Sequence, residues 1–487
     1  MIPQPENAAN RLESFPFLAG RPSVRPGVPA RPVHIHILGV CGTFMGGIAA
    51  IAKTAGHRVT GCDANVYPPM STQLEAEGIE LTVGYGADQA ALNPDVWVVG
   101  NVVSRGNPLM ESILDRGDRY VSGPQWLAEN ALLGRRVLAV AGTHGKTTTS
   151  SMVAWILEDA GLNPGFLIGG VPINFGVSAR VGTQADFVIE ADEYDTAFFD
   201  KRSKMVHYRS RVAILNNIEF DHADIFRDLA AIETQFHHFI RTIPGSGKLI
   251  VNGADPTIDR VLARGCWSSV ERFGVADGWN ASAVGPGRFE VFNRGRLAGL
   301  LRWDLQGEHN LQNALAAIAA AQAVGVDPAR AIKSLAGFKS VRRRMELRGT
   351  VAGVAVWDDF AHHPTAIATT ISGLRNRVGS ARILAVLEPR SSTMKAGLMK
   401  DRLPDSLEQA DRIFCFSANL GWDVAAALAP LGDRARIEND LERLVGAIVA
   451  EAHSGDQVLV MSNGGFGGIH ELLLASLSLR AAPTTRA

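Results

Sequence analysis

An α/β protein of three domains, each a parallel sheet wrapped by helices, is what the sequence predicts. Short apolar runs of strand length alternate with helical stretches, the pattern of successive βαβ units. The runs are apolar throughout, as strands buried on both faces must be. At about 100–200 residues per domain, 487 residues make two to four domains. The strand pattern restarts at Arg135 and again after the basic stretch Lys339–Arg344. These breaks divide the chain into an extension at 1–32, a first domain at 33–133, a central domain at 134–340 and a C-terminal domain at 341–487.

Residues 1–32 hold seven prolines and four arginines but no continuous apolar stretch, so they predict a poorly ordered extension and not a secretory signal. The strand runs are Val33–Leu38, Val96–Val99, Val137–Val140, Phe187–Ile189, Val212–Leu215, Val354–Trp357, Ile383–Leu387 and Val458–Met461. Helical patterns cover Ser150–Ala160, Asn313–Val324 and Leu441–Ala452. Most runs are followed at once by a glycine or a polar residue: Gly39, Gly142, Glu190, Asn216, Asp358, Glu388 and Ser462. Open α/β sheets bind ligands beyond the carboxyl ends of their strands, so these positions predict the functional surface.

Composition excludes several functions. Hydrophobic residues are 46% and charged residues 20%, a globular balance. Lys+Arg 48 against Asp+Glu 49 leaves a net charge of −1, so nothing in the overall charge points to nucleic acid. The four cysteines, Cys41, Cys62, Cys266 and Cys415, form no C-x-x-C pair, which argues against a disulfide framework or a zinc knuckle and suits a reducing cytoplasm. No apolar run reaches the roughly 18 residues of a membrane helix.

The strongest local motif is Gly142-Thr143-His144-Gly145-Lys146-Thr147-Thr148, between a strand and a helix. A glycine-rich turn opening a helix aims backbone N–H groups and a partial positive charge at an anion. Lys146 suits β/γ-phosphate oxygens of ATP, and the Thr147 hydroxyl suits Mg²⁺. The common phosphate loop has glycine where Val140 stands, so this is a shortened form. Glu190-Ala191-Asp192-Glu193-Tyr194-Asp195 packs four carboxylates into six residues, either a solvated acidic loop or, beside a phosphate loop, a segment holding Mg²⁺ or water. Asp221-His222 ends the loop opened by Asn216, and His222 is a packing residue or a ligand for a second metal ion. His309-Asn310 precedes an alanine-rich helix and serves as a cap or an adenine contact. Arg343, within Arg342–Arg344, suits phosphate or ribose oxygens. Asp358 opens Asp358-Asp359-Phe360-Ala361-His362-His363-Pro364, whose adjacent histidines do not make a zinc site. In the first domain Gly39-Val40-Cys41-Gly42-Thr43-Phe44 fails the dinucleotide fingerprint, with Cys41 and Phe44 at glycine positions; with Asp63 downstream it reads as a modified Rossmann-like phosphate site. Arg390, after the run Ile383–Leu387, is a candidate partner for a carboxylate, and Ser462-Asn463-Gly464-Gly465 is either a second such loop or a tight turn.

As a set, these motifs resemble the Mur ligase family of cell-wall synthesis, over most of the chain from Val33. The resemblance implies three α/β domains: a Rossmann-like domain binding UDP-N-acetylmuramate, a central ATPase and a Rossmann-like C-terminal domain that receives the amine. It implies Gly39, Cys41, Gly42, Thr43 and Asp63 for the UDP-sugar; the phosphate loop, His309, Asn310, Arg343 and Asp358 for ATP; Thr147, Glu190 and His222 for Mg²⁺; and Lys146, Glu190 and His222 for catalysis. Cys41-Gly42-Thr43-Phe44, Asp63–Met70 and Tyr194–Lys201 are similar to the branch that adds the whole tripeptide L-alanyl-γ-D-glutamyl-meso-diaminopimelate in murein recycling. Ligation of L-alanine alone is the near alternative, and a nucleotide-binding switch without turnover is one from another class. No lysine lies between Asp221 and Lys248, so the carbamylated lysine of several sister ligases is not expected. The implied partners are small molecules, with no nucleic acid and no membrane, and the chain acts as a monomer or weak homodimer.

Overall fold

A computed structural model describes residues 32–66, 70–303, 305 and 307–481. The expected extension lies outside the described residues up to 31, as do Tyr67–Pro69 of the Asp63–Met70 stretch. All eight apolar runs are strands, distributed over three sheets.

The first sheet has five parallel strands in the order Glu80–Val83, Arg58–Asp63, His34–Leu38, Val96–Val99 and Tyr120–Ser122. Strand order reverses beside His34–Leu38, where an open α/β sheet leaves a crevice for a ligand. The turn after that strand leads into the helix Thr43–Thr54, whose small residues Gly46, Gly47, Ala49 and Ala50 bury one side closely.

The second sheet has ten strands. Its parallel centre runs Ser269–Phe273, Lys248–Asn252, Val212–Leu215, Arg136–Ala141, Asp186–Ala191 and Gly165–Leu167. Helix Lys146–Asp159 covers one face beside helix Glu308–Ala323, whose alanines 314, 316, 317 and 319–321 are fully buried. Alanine costs no side-chain entropy in a helix and lets backbones approach, so two helices fit over one narrow stretch of sheet. The third sheet orders Glu346–Val351, Val354–Asp359, Gln457–Met461, Ile383–Leu387, Arg412–Phe416 and Ala435–Glu438; all but its first pair are parallel.

The structure departs from an all-parallel reading at the sheet margins. Trp279–Gly285, Arg288–Asn293 and Arg296–Arg302 form an antiparallel ribbon, turned at Gly287 and Gly295 with positive φ. Such short turns permit hairpins and leave no room for a crossover helix. Two helices start earlier than their apolar periodicity suggests, at Lys146 and Glu308, because glycines 145 and 307 form their N-caps directly. The basic stretch is not a free linker: Arg342 N–H donates to Val171 O at 3.0 Å and Ile173 N–H to Ser340 O at 3.1 Å.

The first unit touches the second through Gly47. A Cβ there would stand 2.2 Å from Leu167 Cδ1 and 3.2 Å from Ala179 Cβ. Gly47→Val is expected to destabilise the protein by about 1–3 kcal/mol in urea unfolding. An unchanged midpoint would mean that this contact yields without cost.

Candidate functional site

The carboxyl ends of the central strands meet the other two units in one cleft of about 1460 Å³, lined from Thr43 and Met70 through Lys146 to Arg390 and Asn463. Its floor is the loop Gly142–Gly145. Gly142 (φ +139°) and Gly145 (φ +80°) leave no room for a side chain: a Cβ at the first would lie 3.0 Å from Asn216 Cβ, and at the second 2.5 Å from Asn313 Oδ1. The loop is held from behind. His144 N–H donates to Asn217 Oδ1 at 2.7 Å, Thr143 N–H to Asn217 O at 3.0 Å, and Thr149 Oγ1 to Asn313 Oδ1 at 3.0 Å. A cradle held this way spends little free energy on ordering when an anion arrives.

Lys146 Nζ donates to Gly142 O at 2.6 Å and to Glu193 Oε2 at 2.9 Å, while Glu193 Oε1 meets His222 Nε2 at 3.1 Å. Glu193 is 1% exposed. Burial alone would push its carboxyl up, but Lys146 and His222 outweigh burial and hold it below the usual range. For His222, burial pulls down while Glu193, Asp221 and Asp192 lift the imidazole above its ordinary value. Lys146 is likewise raised, because three acids outweigh its burial. His222 adopts φ +55°, and its N–H donates to Asp221 Oδ1 at 2.7 Å. A non-glycine residue in that region is unusual and often marks a functional position.

Beside this cluster Thr147 Oγ1 lies 3.0 and 3.1 Å from the two Glu190 oxygens, and Gly169 N–H donates to Glu190 Oε2 at 2.7 Å. Burial raises the Glu190 carboxyl despite Lys146. The expected metal-binding residues thus fall at two positions: Thr147 with Glu190, and His222 with Asp192 and Glu193, whose ligand atoms lie within 4.8 Å of one another. Hydroxyl and carboxylate oxygens suit a hard cation such as Mg²⁺.

The two expected nucleotide contacts differ in placement: Arg343 lines the cleft and Asp358 does not. Asp358 points away from the cleft, toward His470 at 3.3 Å and Arg343 at 3.4 Å. Asp359, the next residue along the strand, faces the cleft because neighbouring strand residues point to opposite sides. The Arg343 guanidinium clamps the C-terminal loop through Ser462 O and Gly464 O, both at 2.8 Å. Arg344 lines the cleft beside it, 3.5 Å from Thr147 Oγ1 and stacked 4.9 Å from the Phe360 ring centre. His309 and Asn310 line the cleft from within the first helical turn, and burial pushes His309 down to about 4.

In the first unit Asp63 Oδ2 accepts the Cys41 N–H at 2.9 Å, so this carboxylate shapes the turn from Gly39, which has φ +80°, to the N-cap Gly42. Thr43 reaches the cleft itself. Arg390 is half-exposed on the opposite wall, 3.8 Å from Glu388, and lies over Gly464, where a Cβ would meet its guanidinium at 2.5 Å. The motif reading did not single out Asn217, Glu193, Arg344 or Asp359; the signal for each was its place directly beyond a strand end or beside a residue already chosen.

Comparison with known proteins agrees with this layout. Family profiles match in three consecutive stretches: "Mur ligase family, catalytic domain" over residues 34–135, "Mur ligase middle domain" over 140–321 and "Mur ligase, glutamate ligase domain" over 343–464. The UDP-N-acetylmuramate–L-alanyl-γ-D-glutamyl-meso-2,6-diaminoheptandioate ligase of Escherichia coli (strain K12) is 54% identical over 453 residues, 92% of this chain and 99% of that one. A UDP-N-acetylmuramate–L-alanine ligase of Rubrobacter xylanophilus is 34% identical over 73% of this chain and 77% of its own. The crystal structure of a murein peptide ligase from Psychrobacter arcticus 273-4 superposes with a TM-score of 0.74 at 45% identity, covering 92% of this chain and all of that one. Among the described residues no helix is long and apolar enough to cross a membrane.

The Glu193–His222 pair predicts a pH dependence. A histidine raised above its ordinary 6.5 adds stability that is full below that value and is lost as pH rises through the raised one. Unfolding free energy of the ligand-free protein should therefore fall as pH is raised above 6.5. Glu193→Gln should flatten that fall in denaturant titrations across the range; equal slopes in both proteins would contradict the pairing.

Proposed function

The chain belongs to the Mur ligase family of ATP-dependent, amide-forming ligases, and we propose that it joins UDP-N-acetylmuramate to the tripeptide L-alanyl-γ-D-glutamyl-meso-diaminopimelate in murein recycling. The single observation that carries this reading is the near full-length match, at more than half identity, to a ligase named for that tripeptide. The site chemistry supports it. The muramoyl carboxylate attacks the γ-phosphate of ATP, forming an acyl phosphate and ADP. The free α-amine of the tripeptide then attacks the acyl carbon, the C–O bond to phosphate breaks, and the amide, inorganic phosphate and a proton result.

Each residue has a role within that sequence. The Gly142–Gly145 turn and the start of the Lys146 helix receive the phosphates. Lys146 turns from Glu193 to the transferring phosphoryl group, since two anions otherwise repel at close range. Thr147 with Glu190, and His222 with Glu193 and Asp192, would hold two Mg²⁺ ions. When bound, Mg²⁺ supplies the charge neutralisation that lets carboxylate and γ-phosphate approach. His309, Asn310, Arg343, Arg344 and Asp359 bracket the adenosine part. The turn Gly39–Thr43, shaped by Asp63, receives the UDP-sugar, and Arg390 receives a tripeptide carboxylate. Closure of the cleft keeps water from the acyl phosphate. A monomer or weak homodimer working in the cytoplasm is the form in which this activity is expected.

Phosphate release from ATP with UDP-N-acetylmuramate should favour the tripeptide over L-alanine by at least about tenfold, a difference of roughly 1.4 kcal/mol. A preference for L-alanine would move the chain to the single-amino-acid branch. Arg390→Ala should raise the tripeptide KM about tenfold and leave the ATP KM unchanged, as expected when one charge-assisted contact is lost. An unaltered tripeptide KM would remove Arg390 from the site.

A further inference from the structure

The loop Asn216–His222 of the central unit reaches across to the C-terminal unit, where Phe220 packs against its core and Glu219 and Asp221 lie within 4.0 Å of His363, Arg402 and His362; two side-chain hydrogen bonds join the units there. Glu219 Oε2 accepts the Thr365 hydroxyl at 2.8 Å. Asp221 Oδ1 accepts the Thr393 hydroxyl at 2.7 Å, and Thr393 Oγ1 in turn accepts the Ala223 N–H at 3.2 Å. The second contact differs from the first in three respects. Thr393 is 1% exposed, so its hydroxyl has no water to fall back on. The Asp221 oxygen it meets is the same one that accepts the His222 N–H at 2.7 Å. And Thr393 sits in the short helix Ser392–Lys395, three residues after Arg390.

We propose that Asp221 and Thr393 are positioning residues that tie His222 to the acceptor-bearing loop of the C-terminal unit, so that His222 is aligned only when that loop is in place. His222 holds a positive φ, and its backbone is fixed through Asp221, which Thr393 holds from the far side of the cleft. When the C-terminal unit swings away, Asp221 loses a buried donor and Ala223 N–H loses its acceptor. The turn carrying His222 then relaxes away from Glu193. The two half-reactions are thereby coupled: carboxylate activation proceeds with the tripeptide loop already docked. The alternative fate of the acyl phosphate is attack by water, which breaks the same C–O bond and returns carboxylate and phosphate with no amide. The link between latch and half-reactions rests on the ligase reading above; the latch itself does not.

Thr393→Val removes the hydroxyl at nearly constant volume, Thr393→Ser retains it, and Thr365→Val removes the neighbouring cross-unit bond that does not touch His222. Hydrogen–deuterium exchange of the ligand-free protein should be about tenfold faster in the peptide spanning residues 221–226 for Thr393→Val. It should be near wild type for Thr393→Ser and Thr365→Val. With all substrates, amide kcat should fall about tenfold in Thr393→Val alone, with phosphate release falling in step because misaligned His222 slows carboxylate activation, and Thr393→Ser should restore both. Unchanged exchange in Thr393→Val, unchanged amide kcat despite faster exchange, or a Thr393→Ser as impaired as the valine variant would each overturn the proposal. Wild-type protein that forms no amide from the tripeptide would count against the ligase reading instead, and the exchange measurement would still judge the latch.

Discussion

A buried carboxylate between a lysine and a histidine governs the cleft. Glu193 is almost wholly withdrawn from water, and an isolated charge in that position would cost several kcal/mol. It stays ionised because Lys146 and His222 each contact one of its oxygens. The pairing aligns three elements at once: the helix that Lys146 opens, the strand end that Glu193 follows and the turn that His222 occupies. Against burial, which raises it, the Lys146 charge does most to hold the Glu193 carboxyl below its usual range.

The sheets explain why these groups can meet. In the central sheet Arg136–Ala141 lies between Val212–Leu215 and Asp186–Ala191, all parallel, so the residues beyond their ends emerge on one edge. Phosphate loop, acidic segment and Asn216–His222 loop are those three continuations. The asparagines in the last bind backbone of the first, which converts a flexible glycine turn into a fixed one. The first and third units close over that edge through Thr43 on one side and Phe360, Thr365 and Thr393 on the other. A braced centre flanked by two further units suits a ligase that must admit three substrates and then exclude water.

Much of this was legible from sequence because it is local. Apolar runs of strand length are a one-dimensional signal, as are a glycine-rich turn before a helix and acids at a strand end. What escaped depends on direction or distance. Choosing between Asp358 and Asp359 requires knowing which face of the strand looks into the cleft, and that strand pairs with Glu346–Val351, an edge strand that the apolar pattern does not reveal. The partners of Glu219 and Asp221 lie 146 and 172 residues away, so no spacing rule points to Thr365 or Thr393. The antiparallel ribbon at residues 279–302 did carry a sequence signal in Gly287 and Gly295, but its half-buried strands lack the continuous apolar character of the central ones.

On the proposed function, the cleft transfers the γ-phosphoryl group of ATP to a carboxylate of UDP-N-acetylmuramate before the amide forms. Isotope transfer tests it directly. With both oxygens of the muramoyl carboxylate labelled with ¹⁸O, turnover with the tripeptide should deliver one labelled oxygen to each inorganic phosphate, read by mass spectrometry. Phosphate free of label, with amide still forming, would contradict carboxylate activation by phosphoryl transfer.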